Sequence, residues 1–142
     1  MTQPKRIVVV GGVAGGMSCA ARARRLDEAA EIIVLERGPH VSFANCGLPY
    51  YIGGEITDPA KLLVQTPASL RAALNLDVRP QHAVTGVDSS RRVVFVEGPC
   101  GPLELSYDAL VLSPGAVPIR PPITGLDSPR VQTVRTVDDA LT

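Results

Sequence analysis

The sequence has no tryptophan, and aromatic residues make up only 4% of its 142 residues. Hydrophobic residues are nonetheless 45% of the chain, so a core has to be built from Val, Leu, Ile and Ala. A chain of this length is long enough to form one domain with a real core. Small aliphatic side chains suit a sheet covered by helices, which predicts an α/β fold.

A net charge of one sign is also missing, because 14 basic residues balance 14 acidic ones. A neutral chain without a Lys/Arg tract interleaved with aromatics has no electrostatic reason to bind nucleic acid or anionic lipid. No apolar run reaches the length that a membrane-spanning helix needs. We therefore expect neither a nucleic-acid partner nor a membrane partner.

Cysteine is scarce, and the three cysteines, Cys19, Cys46 and Cys100, form neither a CxxC pair nor a metal-ligand spacing. No metal site is predicted. An odd number of cysteines without a disulfide framework is typical of a reducing compartment, so a cytoplasmic location is expected. Cys19 and Cys100 are interpreted as structural residues.

The first part of the chain predicts a βαβ unit. Residues 5–10 and 31–36 are short, continuous, β-branched runs typical of buried parallel strands. Between them, a helix is expected from about Gly15 to Asp27. Its small residues predict a face that lies close against a sheet, formed by Gly16, Cys19, Ala20, Ala23 and Leu26.

The remaining elements follow from caps and periodicity. Thr66 and Pro67 have the pattern of an N-cap followed by a first helical residue. Alternating apolar residues predict an antiparallel hairpin. A short core strand is expected at 76–78, and the hairpin strands are expected at 82–88 and 91–97. After a turn at 98–102, a further strand is expected at 103–107, followed by a fully buried strand at 109–113. A proline-rich connector from residue 114 and a final helix complete the prediction.

Four glycines lie where the first strand is expected to turn into the helix, in the stretch GGVAGG. Glu36 ends the next strand, at the position where an acidic residue hydrogen-bonds a ribose in dinucleotide-binding folds. The middle glycine of the usual G-x-G-x-x-G frame is replaced by Val13. Arg37 is expected to be solvated beside Glu36. The predicted nucleotide site is Gly11, Gly12, Val13, Ala14, Gly15, Gly16, Glu36 and Arg37; a turn that binds no ligand is the alternative.

The stretch SFANCGLPY, residues 42–50, places Cys46 at the beginning of a short helical turn expected over residues 46–52. The positive end of a helix favours a thiolate, which is the nucleophilic form of cysteine. Ser42 and Asn45 are small polar neighbours that can orient a thiol or a substrate. The alternative is a buried structural cysteine, which is what most free cysteines are.

Taken together, GGVAGG, RRLDEAAEIIVLER, SFANCGLPYYIGGEI and YDALVLSPGAVPIRPPI resemble the pyridine nucleotide–disulfide oxidoreductases. The resemblance is strongest to the single-cysteine branch, the coenzyme A–disulfide reductases and the related NADH oxidases and peroxidases. Typical disulfide reductases carry a C-x4-C pair. Here the second position is Tyr51, so no redox disulfide can form within this motif.

The resemblance implies a Rossmann-like FAD-binding fold with a parallel sheet and a β-meander crossover, truncated at its C-terminal side. Residues 1–117 would be the first segment of the FAD-binding domain, and 118–142 a connector toward an NAD(P)H-binding domain. Hydride would pass from NAD(P)H, which has no site in these residues, to FAD and then to Cys46. The acceptor would be a small-molecule disulfide such as coenzyme A disulfide, or a peroxide. The full-length family is expected to be homodimeric.

The resemblance also assigns roles to single residues. Cys46 would be the catalytic thiol beside the flavin, with Asn45 near both flavin and substrate. Ser113 and Gly115 would form a second flavin-side turn, although Pro114 replaces the more usual threonine. Coenzyme A would be held by Ser18, Arg22, Arg25, Ser42 and Asn45. A solvated basic helix face and a non-catalytic nucleotide-binding module remain alternatives.

Overall fold

The computed structural model describes residues 4–142, which divide into two compact units. One unit contains the chain up to Ser42 together with Gln65–Pro114, and the other contains Phe43–Val64 and Gly115–Thr142. Each unit has its own cluster of buried apolar side chains.

The first unit combines two helices with two sheets. Its elements are β1 Arg6–Val10, α1 Ala14–Leu26, β2 Glu31–Leu35, α3 Pro67–Leu74, β3 Asp77–Arg79, β4 Ala83–Asp88, β5 Val93–Gly98, β6 Gly101–Ser106 and β7 Ala109–Leu112. Strands in the order β3-β2-β1-β7 form a parallel sheet, and β4-β5-β6 form an antiparallel meander. The predicted α/β fold with a parallel sheet and a meander is confirmed.

The parallel sheet is buried on both faces because side chains alternate along each strand. Ile32 and Val34 of β2 join the cluster that contains residues of α1 and α3. Ile33 and Leu35 join the second cluster, together with Val94 and other residues of the meander. Continuous apolar strands are therefore what this position in the fold requires.

Helix α3 begins as the sequence predicts. Thr66 accepts a hydrogen bond from the backbone N–H of Ser69 at 3.1 Å, and the Ser69 hydroxyl accepts one from the N–H of Thr66 at 2.9 Å. Pro67 occupies the first turn. This reciprocal pair satisfies two N–H groups that have no partner within the helix.

The buried face of α1 differs from the predicted one. Leu26 is 70% exposed, whereas Gly16, Met17, Ala20 and Arg24 are buried. The Arg24 guanidinium is held by backbone carbonyls, donating to Leu74 O at 2.9 Å and Glu28 O at 2.6 Å. Gly16 and Ala20 of the predicted face are therefore buried and Ala23 packs against the same core, whereas Leu26 is not part of the buried face and Arg24 is.

Two strand predictions also need correction. Strand β7 was expected to be fully buried, but it is the edge strand of the parallel sheet, and Leu112 is 62% exposed. Strand β6 begins at Gly101, two residues before the predicted start, since only Pro99 and Cys100 separate it from β5. Cys100 is exposed on this turn, so it has no structural role in a core.

The second unit is built from short helical segments. Helices α2 Leu48–Ile52 and α4 Val137–Leu141 enclose Leu48, Leu62 and Val137, and a short 3₁₀ turn spans Pro59–Leu62. Residues 115–136 contain no helix or strand, and α4 is the expected final helix. No helix in residues 4–142 combines the length and apolar character needed to span a membrane.

Candidate functional site

In the turn between β1 and α1, the backbone of the glycines lies against the backbone of neighbouring residues. Gly11 has φ of +102°, a conformation that side-chain-bearing residues rarely adopt. A Cβ atom on Gly11 would overlap the Ser113 carbonyl, and one on Gly16 would overlap the Gly11 carbonyl. Glycine is therefore required at both positions by packing within this unit, whether or not a ligand binds.

Gly12 and Gly15 lie against side chains instead. A Cβ on Gly12 would come within 2.8 Å of the Glu36 Cβ and 3.1 Å of a Val41 methyl group. A Cβ on Gly15 would come within 2.5 Å of the Ser113 hydroxyl. Gly12 and Gly15 both lie outside the usual frame, and Gly15 is the one that faces Ser113, a predicted site residue.

Helix α1 begins without a capping side chain. Val13 is its N-cap residue and supplies no side-chain hydrogen bond, and the first turn contains no acidic residue. The N–H of Met17 is bonded to the Val13 carbonyl at 3.1 Å. The N–H groups of the preceding first-turn residues have no carbonyl one turn earlier, and with the helix dipole they favour an anion.

Glu36 holds the glycine turn from the end of β2. One carboxylate oxygen accepts the N–H of Gly12 at 2.7 Å, and the other accepts the N–H of Gly38 at 2.8 Å. Each oxygen keeps a further lone pair, which can accept a hydrogen bond from a ribose hydroxyl. A cavity of about 100 Å³ lies here, lined by residues that include Glu36, Arg37 and His82. Arg37 is exposed, as expected.

Ser42 is a predicted site residue with an unusual backbone conformation. Its φ is +47°, in the left-handed region that non-glycine residues seldom occupy. Its N–H donates to the Gly12 carbonyl at 2.8 Å, which fixes the loop to the glycine turn. Such conformations persist only where the surroundings impose them and concentrate at functional sites.

The predicted phosphate-binding stripe of α1 is accessible. Ser18, Arg22 and Arg25 are all exposed. Arg25 Nε donates to the Ala21 carbonyl one turn earlier, at 3.2 Å, which leaves its terminal nitrogens available. The three side chains follow one another at i, i+4 and i+7, so they lie on one face of the helix.

Cys46 lies in the second unit, on a 3₁₀ turn formed by Asn45–Gly47 that leads directly into α2. The turn begins one residue earlier than predicted. Cys46 is a free cysteine and is exposed, so its interpretation as a buried structural cysteine is wrong. Tyr51, at the position of the missing second cysteine, is half-buried against the core of this unit.

In the same unit, the guanidinium of Arg135 contacts Asn45 and lies against Gly115. Arg135 is not among the site residues predicted from the sequence. The Asn45 amide is oriented from its neighbours. Its oxygen accepts a hydrogen bond from an Arg135 terminal nitrogen at 2.6 Å, and its nitrogen donates to the Phe43 carbonyl at 3.2 Å. Arg135 Nε also donates to the Ala116 carbonyl at 2.9 Å. Only the capping pattern Thr136-x-x-Asp139 just after it could have drawn attention to Arg135.

Asp139 fixes the backbone that carries Arg135. Its carboxylate accepts the N–H groups of Thr136 at 2.7 Å and Arg135 at 2.9 Å. These bonds, that of Thr136 first, lower the pKa of Asp139 because they stabilise the ionised form. Within residues 4–142, no group of three or more His, Cys, Asp or Glu side chains is placed to hold a metal ion.

The chain is similar in sequence and in fold to several known proteins. The coenzyme A disulfide reductase of Staphylococcus epidermidis is 45% identical over 113 residues, which are 78% of this chain and 26% of that protein. A solved structure of reduced Bacillus anthracis CoADR-RHD is 48% identical with a TM-score of 0.90, covering 96% of this chain and 25% of that one. An NAD-dependent persulfide reductase from A. fulgidus is 38% identical with the same TM-score, covering 96% of this chain and 26% of that one.

The chain thus spans about a quarter of the length of the curated relatives it matches. The family model described as pyridine nucleotide-disulphide oxidoreductase matches residues 5–142, which include the glycine turn, Glu36 and Cys46. The chain belongs to the pyridine nucleotide-disulphide oxidoreductase family.

Proposed function

We propose that this chain supplies the FAD-binding and redox-thiol part of an NAD(P)H-dependent disulfide reductase whose substrate is coenzyme A disulfide. The observation that carries the proposal is the free, exposed thiol of Cys46 in a helical turn, within a chain of this family. Residues 1–117 would form the first FAD-binding segment and 118–142 the connector. The family is FAD- and NAD(P)H-dependent.

The glycine turn and the first turn of α1 would hold the diphosphate of FAD. The α1 N-terminus has no acidic residue or side-chain cap that would compete with a phosphate. Glu36, fixed by two backbone N–H groups, would accept hydrogen bonds from the adenosine ribose.

When bound, FAD supplies the two electrons that keep the thiol reduced. Cys46 would perform the substrate step. Its thiolate attacks one sulfur of coenzyme A disulfide, the S–S bond breaks, one coenzyme A thiolate leaves, and a mixed disulfide joins Cys46 to the other coenzyme A. The exposure of Cys46 supports this role, because a large substrate has to reach the sulfur.

The Ser18, Arg22 and Arg25 stripe would bind phosphate groups of coenzyme A. Guanidinium groups pair with phosphate oxygens in a forked geometry, and the two Arg side chains are exposed on the same helix face. Ser42 and Asn45 would orient the substrate near the thiol. The homodimer and the cytoplasmic location expected from the sequence remain predictions.

The first test is a visible absorption spectrum of the chain folded with FAD and passed through gel filtration. We expect flavin bands shifted from those of free FAD, and their return to the free spectrum on denaturation. A chain that folds but retains no flavin under these conditions would contradict the assignment of the glycine turn.

The second test is reaction of the reduced chain with coenzyme A disulfide, followed by mass spectrometry of peptides. Cys46 is expected to gain one coenzyme A, and Cys46→Ser is expected to abolish this while keeping bound FAD. Cys100→Ser is the matched control, because Cys100 is also exposed. Equal modification of Cys46 and Cys100 would contradict a special role for Cys46.

The substrate class is tested with the same chain. Replacing Arg22 and Arg25 with Gln should slow the reaction with coenzyme A disulfide and leave that with the neutral hydroxyethyl disulfide unchanged. The likeness to a persulfide reductase makes a persulfide the second candidate substrate. A faster reaction with a small persulfide would favour that candidate. Sulfenic acid formed at Cys46 by peroxide and trapped with dimedone would favour an oxidase or peroxidase.

A further inference from the structure

We propose that Arg135 is a positioning residue for the turn that carries Cys46. This proposal rests on the function proposed above for Cys46. The Arg135 guanidinium contacts two segments that are far apart in the sequence, the Asn45 amide at 2.6 Å and the Ala116 carbonyl at 2.9 Å. Both contacts lie within the second unit.

The Cys46 turn needs support of this kind. A 3₁₀ turn of three residues has strained hydrogen bonds and little stability of its own. Its backbone is held by Gly47 N–H donating to the Ala44 carbonyl at 2.8 Å and by Leu48 N–H donating to the Asn45 carbonyl. Arg135 adds a charge-assisted bond to the side chain of the residue directly before Cys46, which restricts rotation of the turn.

The backbone of Arg135 is itself held in place by the first turn of α4. Asp139 binds the N–H of Arg135, and Val137 packs in the same cluster as Leu48. Leu48 follows the Cys46 turn directly. The first turn of α4 therefore anchors both the arginine and the far end of the segment that the arginine supports.

Gly115 leaves the space that the guanidinium occupies. A Cβ on Gly115 would come within 2.7 Å of an Arg135 terminal nitrogen. Gly115→Ala would therefore displace the guanidinium while leaving its charge in the chain. Gly115 has φ of +75°, so the substitution also strains the backbone. Gly125→Ala is the matched control, with φ of +91° and nothing within 4 Å of the added methyl group.

The experiment uses the whole chain with Cys19→Ala and Cys100→Ser, so that Cys46 is the single thiol. Amide hydrogen exchange of Gly47 and Leu48 and the rate of mixed-disulfide formation with coenzyme A disulfide are measured on each variant. Arg135→Ala and Gly115→Ala should speed exchange roughly tenfold, as expected for loss of a bond to a charged group. Both should slow mixed-disulfide formation by a similar factor, while Gly125→Ala should change neither.

Millimolar guanidinium chloride should restore slow exchange in Arg135→Ala, because the ion can replace the missing side-chain group. Sodium chloride at the same concentration should not. Unchanged exchange at Gly47 and Leu48 in both variants would overturn the proposal. Faster exchange with an unchanged rate at Cys46 would also overturn it, because Arg135 would then be only structural. Where Arg135→Ala does not fold, Gly115→Ala decides. A parent chain whose Cys46 does not react would contradict the proposed function instead, and the exchange result would stand separately.

Discussion

Substitution of Gly16 by alanine should lower the free energy of unfolding, although alanine is the better helix former. Gly16 lies in the first turn of α1, and its added Cβ would overlap the Gly11 carbonyl and lie 3.1 Å from a Val9 methyl group. The helix gains up to about 1 kcal/mol from the change, and overpacking against backbone costs about 3 kcal/mol. The net loss of unfolding free energy is therefore about 2 kcal/mol.

Gly15→Ala is the matched comparison, because it is the neighbouring glycine of the same helical turn. Its Cβ would meet the Ser113 hydroxyl at 2.5 Å, and a hydroxyl can rotate away where a carbonyl in a turn cannot. The helix-propensity gain of up to about 1 kcal/mol should then be largely retained. We expect the two variants to differ by about 2–3 kcal/mol, in opposite directions from the parent chain.

Urea unfolding followed by circular dichroism measures this difference, since the chain has no tryptophan for fluorescence. Equal slopes against urea would show that all variants unfold in the same way. With an unfolding entropy of about 2.1 cal/mol/K per residue, a loss of about 2 kcal/mol lowers Tm by about 7 °C. A Gly16→Ala chain as stable as the parent, or variants that shift together, would refute the packing argument.

Three further predictions concern other parts of the chain. Arg24→Met should reduce the unfolding free energy by about 2 kcal/mol, because backbone carbonyls at the ends of α1 and α3 lose their hydrogen-bond donor. Arg25 is exposed, so Arg25→Met should change the unfolding free energy by less than about 0.5 kcal/mol. Urea unfolding of the two variants measures both changes. Asp139 has a lowered pKa in the folded chain, so its contribution to stability is present above its ordinary value of 3.8 and is lost as pH falls through the folded value. Thermal unfolding followed from pH 6 down to below the folded pKa should show this loss in the parent and not in Asp139→Asn. Ser42→Gly should raise the unfolding free energy by about 0.5–1 kcal/mol by relieving its positive φ, and an unchanged Tm would contradict strain there.

Local patterns were sufficient for much of the fold. The strands of residues 6–10 and 31–35 are continuous β-branched runs bounded by turns, and such runs are buried on both faces wherever a parallel sheet is covered. The start of α3 could be predicted because Thr66 and Pro67 act within a single turn. In these cases the physical cause and its effect lie a few residues apart.

Long-range features were not predictable in the same way. Leu112 is apolar yet exposed, and its strand β7 lies at the edge of the sheet. The residues of a single strand do not determine the position of that strand in the sheet. Arg24 is buried because carbonyls from two helix ends surround it, and one of those helices begins more than forty residues later. Arg135 meets Asn45 across ninety residues of sequence. Each of these depends on a contact that only the folded chain supplies.

The candidate nucleotide site raises a related difficulty, since packing alone explains Gly11 and Gly16 and their substitution cannot separate folding from ligand binding. Ala14 can separate the two, because it is the first residue of α1 and its N–H has no partner within the helix. Proline is tolerated at this position, so Ala14→Pro removes one donor and keeps the helix, while Ala14→Ser keeps the donor. Loss of one hydrogen bond to a phosphate should weaken FAD binding about 10- to 100-fold in Ala14→Pro, measured by quenching of flavin fluorescence, with Tm little changed. Equal affinity of the two variants would place the diphosphate elsewhere and leave the glycines with a purely structural role.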